Sequence, residues 1–305
     1  MIKKVGFLLC VFFTVSSYSQ IGGKYTYEFL NLVSSPRQAA LGGKVLTNND
    51  WDTSQALHNP SAITKEMDGQ LALNYVSYFA DINFGSISYA RGFGEEKKHM
   101  FAGGITYVDY GKFNGFDEVG NPTGSFSGNE FAFTVGYVYS VPKTDLKLGA
   151  NGKFISSKLE QYNSIGGAID LAALYEFKKS NSMLTLVASN IGGQFTLYED
   201  TREKIPFHVD LAFAKELEKL PLKWHIIFEN IQQWDVSFSN PARSEIDLEG
   251  NEIEEDVSFF NNFMRHIVIG GELFHDRALN IRFGYNFRRG EELKNVTTII
   301  QHISV

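Results

Sequence analysis

The chain is poor in cysteine, proline and long apolar runs. Its one cysteine, Cys10, sits inside an N-terminal leader: Lys3 and Lys4 are followed by apolar Val5 to Val15 and by Ser17-Tyr18-Ser19. That pattern predicts a signal peptide over 1–19 and a mature start at Gln20. The run is too short for a spanning helix, which needs about twenty apolar residues. Lipid attachment at Cys10 fits poorly, because the apolar stretch continues past it. Without Cys10 there is no disulfide scaffold, thiolate metal site or cysteine nucleophile. After Gln20 no window approaches eighteen apolar residues, so a helical span is not expected. The net charge of −7 argues against a nucleic-acid partner.

What the chain has is a two-residue rhythm, with 26 Phe, 14 Tyr and 28 Gly. In Leu279-Asn280-Ile281-Arg282-Phe283-Gly284-Tyr285-Asn286-Phe287-Arg288 every odd position is apolar and every even one is polar or glycine. Strand side chains alternate faces, so such a segment has one apolar and one polar face. Strands are predicted at 69–80, 82–93, 98–109, 129–141, 144–157, 164–178, 182–190, 204–215, 221–230, 264–275, 277–289 and 293–305. The 82–93 run changes phase between Phe84 and Ile87, which reads as a bulge.

Connector lengths sort by parity. Even-numbered connections are short, as in Gly94–Lys97, Pro142-Lys143 and His275-Asp276-Arg277. The long ones, about 110–128, 191–203 and 231–263, are all odd-numbered. Short turns at one end and long loops at the other describe an outer-membrane barrel, and a sandwich has no reason to sort them so. The fold class expected is therefore all-β, a transmembrane antiparallel barrel over 69–305. Its apolar set faces lipid. Its inward set is Lys147, Asn151, Lys153, Asp170, His208, Asp210, Lys223, His225, Glu229, Glu272, Asn280 and Arg282. Charges of both signs there predict paired networks.

Residues 20–68 do not alternate and are too many for a bare linker. Ser35 before Pro36 reads as a helix start. The options are a plug in the lumen or a periplasmic extension, and the small residues suit a plug.

Ala39-Ala40-Leu41-Gly42-Gly43, followed by Ser54-Gln55-Ala56-Leu57-His58-Asn59-Pro60-Ser61-Ala62, resembles the N-terminal hatch of FadL-type outer-membrane barrels. The matching hatch residues are Gly42, Gly43, Asn59, Pro60 and Ala62, with a serine inserted before the alanine of the family motif. With the opening Gly22 to Leu32, the stretch is more narrowly similar to the PorQ family of Bacteroidetes. The resemblance runs from about residue 22 to about 295. It implies a non-enzymatic outer-membrane component of the type IX secretion and surface-attachment machinery, a membrane anchor or docking barrel. It also implies PorU, PorV and PorZ as partners, no cofactor, and a barrel of fourteen strands. Only eleven or twelve are countable here. Thr297 to Val305 alternates poorly, so a chain cut or shifted in frame after about Asn295 is the expectation. A FadL-like channel for small hydrophobic compounds is the alternative, with an apolar pocket near Trp51 and Leu57.

Catalytic patterns are weak. Gly124-Ser125-Phe126-Ser127-Gly128 has Phe where a nucleophile elbow needs serine. Gly92-Phe93-Gly94 lacks the third glycine of a dinucleotide loop. No metal is expected; His208 and His225 would need to meet across neighbouring strands. The sharpest charge cluster is Glu245, Asp247, Glu249, Glu252, Glu254, Glu255 and Asp256. It reads either as a solvated loop or, beside Trp234, Phe238, Phe259 and Phe260, as a partner-binding surface.

Overall fold

The computed structural model describes residues 25–48, 50–236, 245–246, 252–253, 257–275, 277 and 279–292. The leader, the run 293–305 expected as a twelfth strand and the expected break near Asn295 lie outside them.

One antiparallel sheet holds eleven strands in chain order. They are β1 (Leu71–Ser77), β2 (Asn83–Phe93), β3 (His99–Phe116), β4 (Pro122–Ser140), β5 (Leu146–Leu159), β6 (Tyr162–Phe177), β7 (Ser182–Thr196), β8 (His208–Glu216), β9 (Leu222–Phe228), β12 (Ile267–Leu273) and β13 (Ile281–Asn286). A two-residue pair, β10 (Glu245–Ile246) with β11 (Glu252–Ile253), stands apart. Among the described residues β1 and β13 are the two edges of the sheet. No helix described is long and apolar enough to cross a membrane.

The faces are as the alternation dictates. Phe133, Val135, Ile169, Leu171, Leu186, Ile269, Ile281 and Phe283 are exposed. Asn151, Asp170, His208, Asp210, His225 and Glu272 on the other face are buried. Water-soluble sheets bury the apolar face and rarely expose more than a few hundred Å² of contiguous apolar surface. This sheet does the reverse along its whole width.

Residues 25–68 cover the polar face. Tyr27, Phe29 and Leu30 pack with Phe84, Val108, Ile155 and Ala168. Ala56, Ile63 and Met67 pack with Ala90, Met100 and Val138. Leu46 packs with Val187, Ile227 and Val268. One segment thus touches strands from β2 to β12, so the sheet curves around it. Its first described residues bridge Tyr25 to Lys204 and its last, Asp68, bridges Ala90. It therefore runs along the strands before entering β1 and is not a free extension.

Three expectations need correction. The phase change in β2 is no bulge: β2 pairs both neighbours without a break. Phe84 simply points inward, where Tyr27, Phe29 and Leu30 give it an apolar neighbourhood. Register shifts occur instead between Asp109 and Lys112 of β3, and in the β6–β7 pairing at Ile165/Gly166 and Ile169/Leu171. The expected loop 110–128 is mostly strand, a β3–β4 hairpin turning at 117–121. Finally, Phe287–Glu292 is helical, so β13 ends at Asn286. The connections 94–98, 141–145, 178–181, 217–221 and 274–280 at one end are all short, and the long 197–207 and 229–266 lie at the other.

Candidate functional site

The polar face and the segment on it form the candidate site. Helix Pro36–Ala40 begins after Ser35, which occupies the cap position but makes no side-chain cap bond. Gly42 and Gly43 follow with φ of 96° and 144°, a backbone that only glycine adopts without strain. Asn59 caps the 3-10 turn Pro60–Ala62, accepting from the Ser61 amide at 3.0 Å and donating to the Leu46 carbonyl at 2.7 Å. Ala62 is fully buried. Gly42 and Gly43 thus sit at one turn of the covering segment, against β12 and β13, and Asn59, Pro60 and Ala62 at another, against β5.

The sheet meets these turns with glycines that sequence reasoning passed over. A Cβ on Gly149 of β5 would collide with the backbone of Pro60 and Ser61, and one on Gly284 of β13 with that of Leu41 and Gly42. The available signal was glycine at polar-parity positions of otherwise well-formed strands. Glycine within a strand marks close approach of another backbone.

Charges hold the segment from several sides. Arg37 donates to Asp50 Oδ2 at 2.6 Å and to Glu272 Oε1 of β12 at 3.0 Å. Arg282 Nε of β13 lies 3.5 Å from Glu272 Oε1. Trp51 lies under the Arg37 guanidinium at 5.8 Å. Deeper in, Lys153 pairs with Asp170 at 2.8 Å and donates to Asn190 Oδ1 at 2.9 Å. Lys44 donates to Asn31 Oδ1 at 2.9 Å and lies 3.2 Å from His208 Nε2, itself 3.3 Å from Asp210. Burial pulls the Lys44 ammonium down to about 8, against the upward pull of Asp210 and Glu229. Lys153, Asp170, His208, Asp210, Glu272 and Arg282 of the inward set are therefore paired, as mixed signs predict.

The arrangement predicts two responses. Arg37→Ala leaves the Glu272 carboxylate, with 3% of its side chain exposed, to Arg282 and to the charge of Lys223 opposite it on β9. Removing one partner of a buried pair costs about 3–5 kcal/mol. Urea unfolding in detergent should read a loss near the lower bound, because Arg282 and Lys223 remain. Arg37→Lys should recover little, since an ammonium cannot make the forked contacts. The second response concerns pH. Burial, then the positive charges of Lys44 and Lys153, hold the His58 imidazole well below its ordinary value of 6.5. His58 is only partly exposed, so burial still governs. The unfolded chain then takes up a proton that the folded chain refuses. The contribution to stability is full above 6.5 and is lost as pH falls below it, at about 1.4 kcal/mol per pH unit. Urea midpoints measured from pH 7.5 to 5 should fall more steeply for the wild type than for His58→Gln; parallel slopes would refute this.

His208 and His225 do not meet. His225 stands opposite Ala214 and His208 opposite Ser189, so the register separates them along β8. His225 Nε2 lies 3.2 Å from the Leu41 carbonyl instead. The apolar region expected near Trp51 and Leu57 is split: Trp51 is exposed, while Leu57 is packed inside.

Of the expected partner loop, Trp234, Phe259 and Phe260 are exposed, and Trp234 stacks on Phe259 at 4.9 Å. Glu252 lies in β11. Phe238, Glu254 and Glu255 fall outside the described residues. No protein-family model matches the chain, and no curated protein sequence matches it.

Proposed function

We propose that the chain is a non-enzymatic outer-membrane barrel, a membrane anchor or docking component of the type IX secretion and surface-attachment machinery. One observation carries the membrane part: apolar residues cover the outward face from β1 to β13, while charged residues turn inward against the N-terminal segment. In lipid this is the stable polarity, and a sheet wrapped on itself satisfies backbone groups that lipid cannot. In this reading residues 25–68 are the plug. The secretion part rests on the likeness of Gly22 to Gly43 and Ser54 to Ala62 to the PorQ family.

The interior weighs against a channel for small hydrophobic compounds. Such a site wants an open apolar pocket. Here the interior apolar groups Leu41, Leu46, Ile63 and Met67 are packed to 1% exposure or less, and ion pairs occupy much of the remainder.

Affinity capture from detergent-solubilised outer membranes tests the function. Co-recovery of surface-attachment proteins of the PorU, PorV and PorZ kinds is the expected result. Recovery of the barrel alone with bound fatty acid or hydrocarbon would overturn docking in favour of transport.

A further inference from the structure

The wall of the sheet is uneven. β6 has 16 residues, whereas β9 and β12 have seven each and β13 has six. At a rise near 3.4 Å and a tilt near 45°, seven residues span only about 17 Å, against an apolar band of about 25 Å. β6 exceeds that band; β9 and β12 fall short of it.

Helix Phe259–Arg265 joins β9 to β12 at the end where they run short. Its polarity is inverted. Asn262, Arg265 and the following His266 are 5%, 3% and 1% exposed, while Phe259 and Phe260 are 73% and 70% exposed. The buried polar groups fasten it. Asn262 Nδ2 donates to the Trp234 carbonyl at 2.6 Å, and the His266 ring nitrogens lie 2.6 Å from the Glu229 carbonyl and 2.8 Å from that of Trp234. An aqueous helix hides its phenylalanines and shows its asparagines.

The exposed rings continue the outward face. Leu222, Trp224, Ile226 and Phe228 are its β9 series, and Phe228 lies 5.7 Å from Phe263. Trp234 stacks on Phe259 and lies 5.5 Å from His266. The strand's apolar series thus meets the helix at Phe228 and Phe263.

We infer that helix Phe259–Arg265 and Trp234 form a lipid-immersed collar that completes the apolar band above the short strands β9 and β12. Its occupant is the acyl-chain region of the bilayer. The inference rests on the membrane reading above and reassigns these aromatics from protein docking to lipid. Trp and Phe at this level are the residues that membrane interfaces select, and a strand shorter than the bilayer otherwise forces local thinning.

The three tryptophans, Trp51, Trp224 and Trp234, make the test direct. The doubly substituted chain with Trp51→Phe and Trp224→Phe keeps only Trp234. A companion with Trp51→Phe and Trp234→Phe keeps only Trp224, on the β9 wall. Each is folded into phosphatidylcholine vesicles with acyl chains brominated at defined depths, and folding is verified by resistance to heat in gel migration. The collar predicts that brominated lipid lowers emission from Trp234 at least twofold, strongest for the shallower bromines, with weak quenching by aqueous acrylamide. If Trp224 is quenched by brominated lipid but Trp234 only by acrylamide, the collar is wrong and the barrel stands. If neither responds to brominated lipid, the membrane reading fails and the collar with it.

Discussion

Gly149→Val is expected to unseat the N-terminal segment while leaving most of the sheet paired. The new side chain would stand where the Pro60 and Ser61 backbone passes. Neither side can yield: β5 is held in register by β4 and β6, and the 3-10 turn is fastened through Asn59 to Leu46. Overpacking costs about 1–3 kcal/mol when side chains can shift; against backbone on both sides the loss should reach about 3 kcal/mol. Two measurements report it, the urea midpoint in detergent and the rate at which protease cuts within 36–68. Gly152→Val is the control, on the same strand but outward, with nothing near its Cβ position. Equal protease rates for the two variants would mean that the segment does not rest on β5.

Asp170→Ala should be the other large loss, about 3–5 kcal/mol, because it strands Lys153. The two side chains are 0% and 5% exposed. Asp170 also accepts from the Asn151 amide at 3.2 Å and from the Asn190 backbone amide at 2.8 Å. Asn190 has φ of 58° at the irregularity in the β6–β7 pairing. One carboxylate thus neutralises a buried cation and fills the hydrogen bond that the irregularity leaves open. Lys153→Met added to Asp170→Leu should recover about half the loss, removing the charge but leaving the Asn190 amide unpaired. A single-variant loss below about 1 kcal/mol would mean that water solvates Lys153 and the interior is wet rather than packed.

The strands were legible wherever the two faces differ in polarity. Phe131 to Tyr139 and Ile169 to Phe177 alternate in the sequence as they do in the structure. The β3–β4 hairpin was not, because it extends beyond its neighbours: Pro122 to Ser127 are exposed on both faces, so no burial pattern marks them as strand. Phe84 misled for the opposite reason, since an inward position turns apolar where the covering segment brings Phe29 and Leu30. The helix after Asn286 was hidden by Phe287 and Arg288, which continue the alternation without being in the sheet. Of the candidate site, the turns at Gly42-Gly43 and Asn59-Pro60 and the mixed charges of the polar face were readable. The glycines that admit the segment were not, because an inward glycine resembles polar filler. The separation of His208 from His225 depends on register, which alternation does not specify.

The contact between Arg37 and Glu272 spans 235 positions of the chain, and Gly284 lies against Leu41 beyond it. A segment that precedes the sheet in the chain thus finds part of its seat on the strands furthest from it in sequence among those described. Long-range contacts of this kind are slow to form, since the intervening loop must be closed before they repay its entropy. The part of the segment that carries Arg37 and Gly42 must therefore wait until β12 and β13 are in place, while Tyr27, Phe29 and Ile63 find earlier strands to pack on. Around those late contacts the segment is polar, with Arg37, Gln38, Asn48 and Asp50, which suits that interval in water.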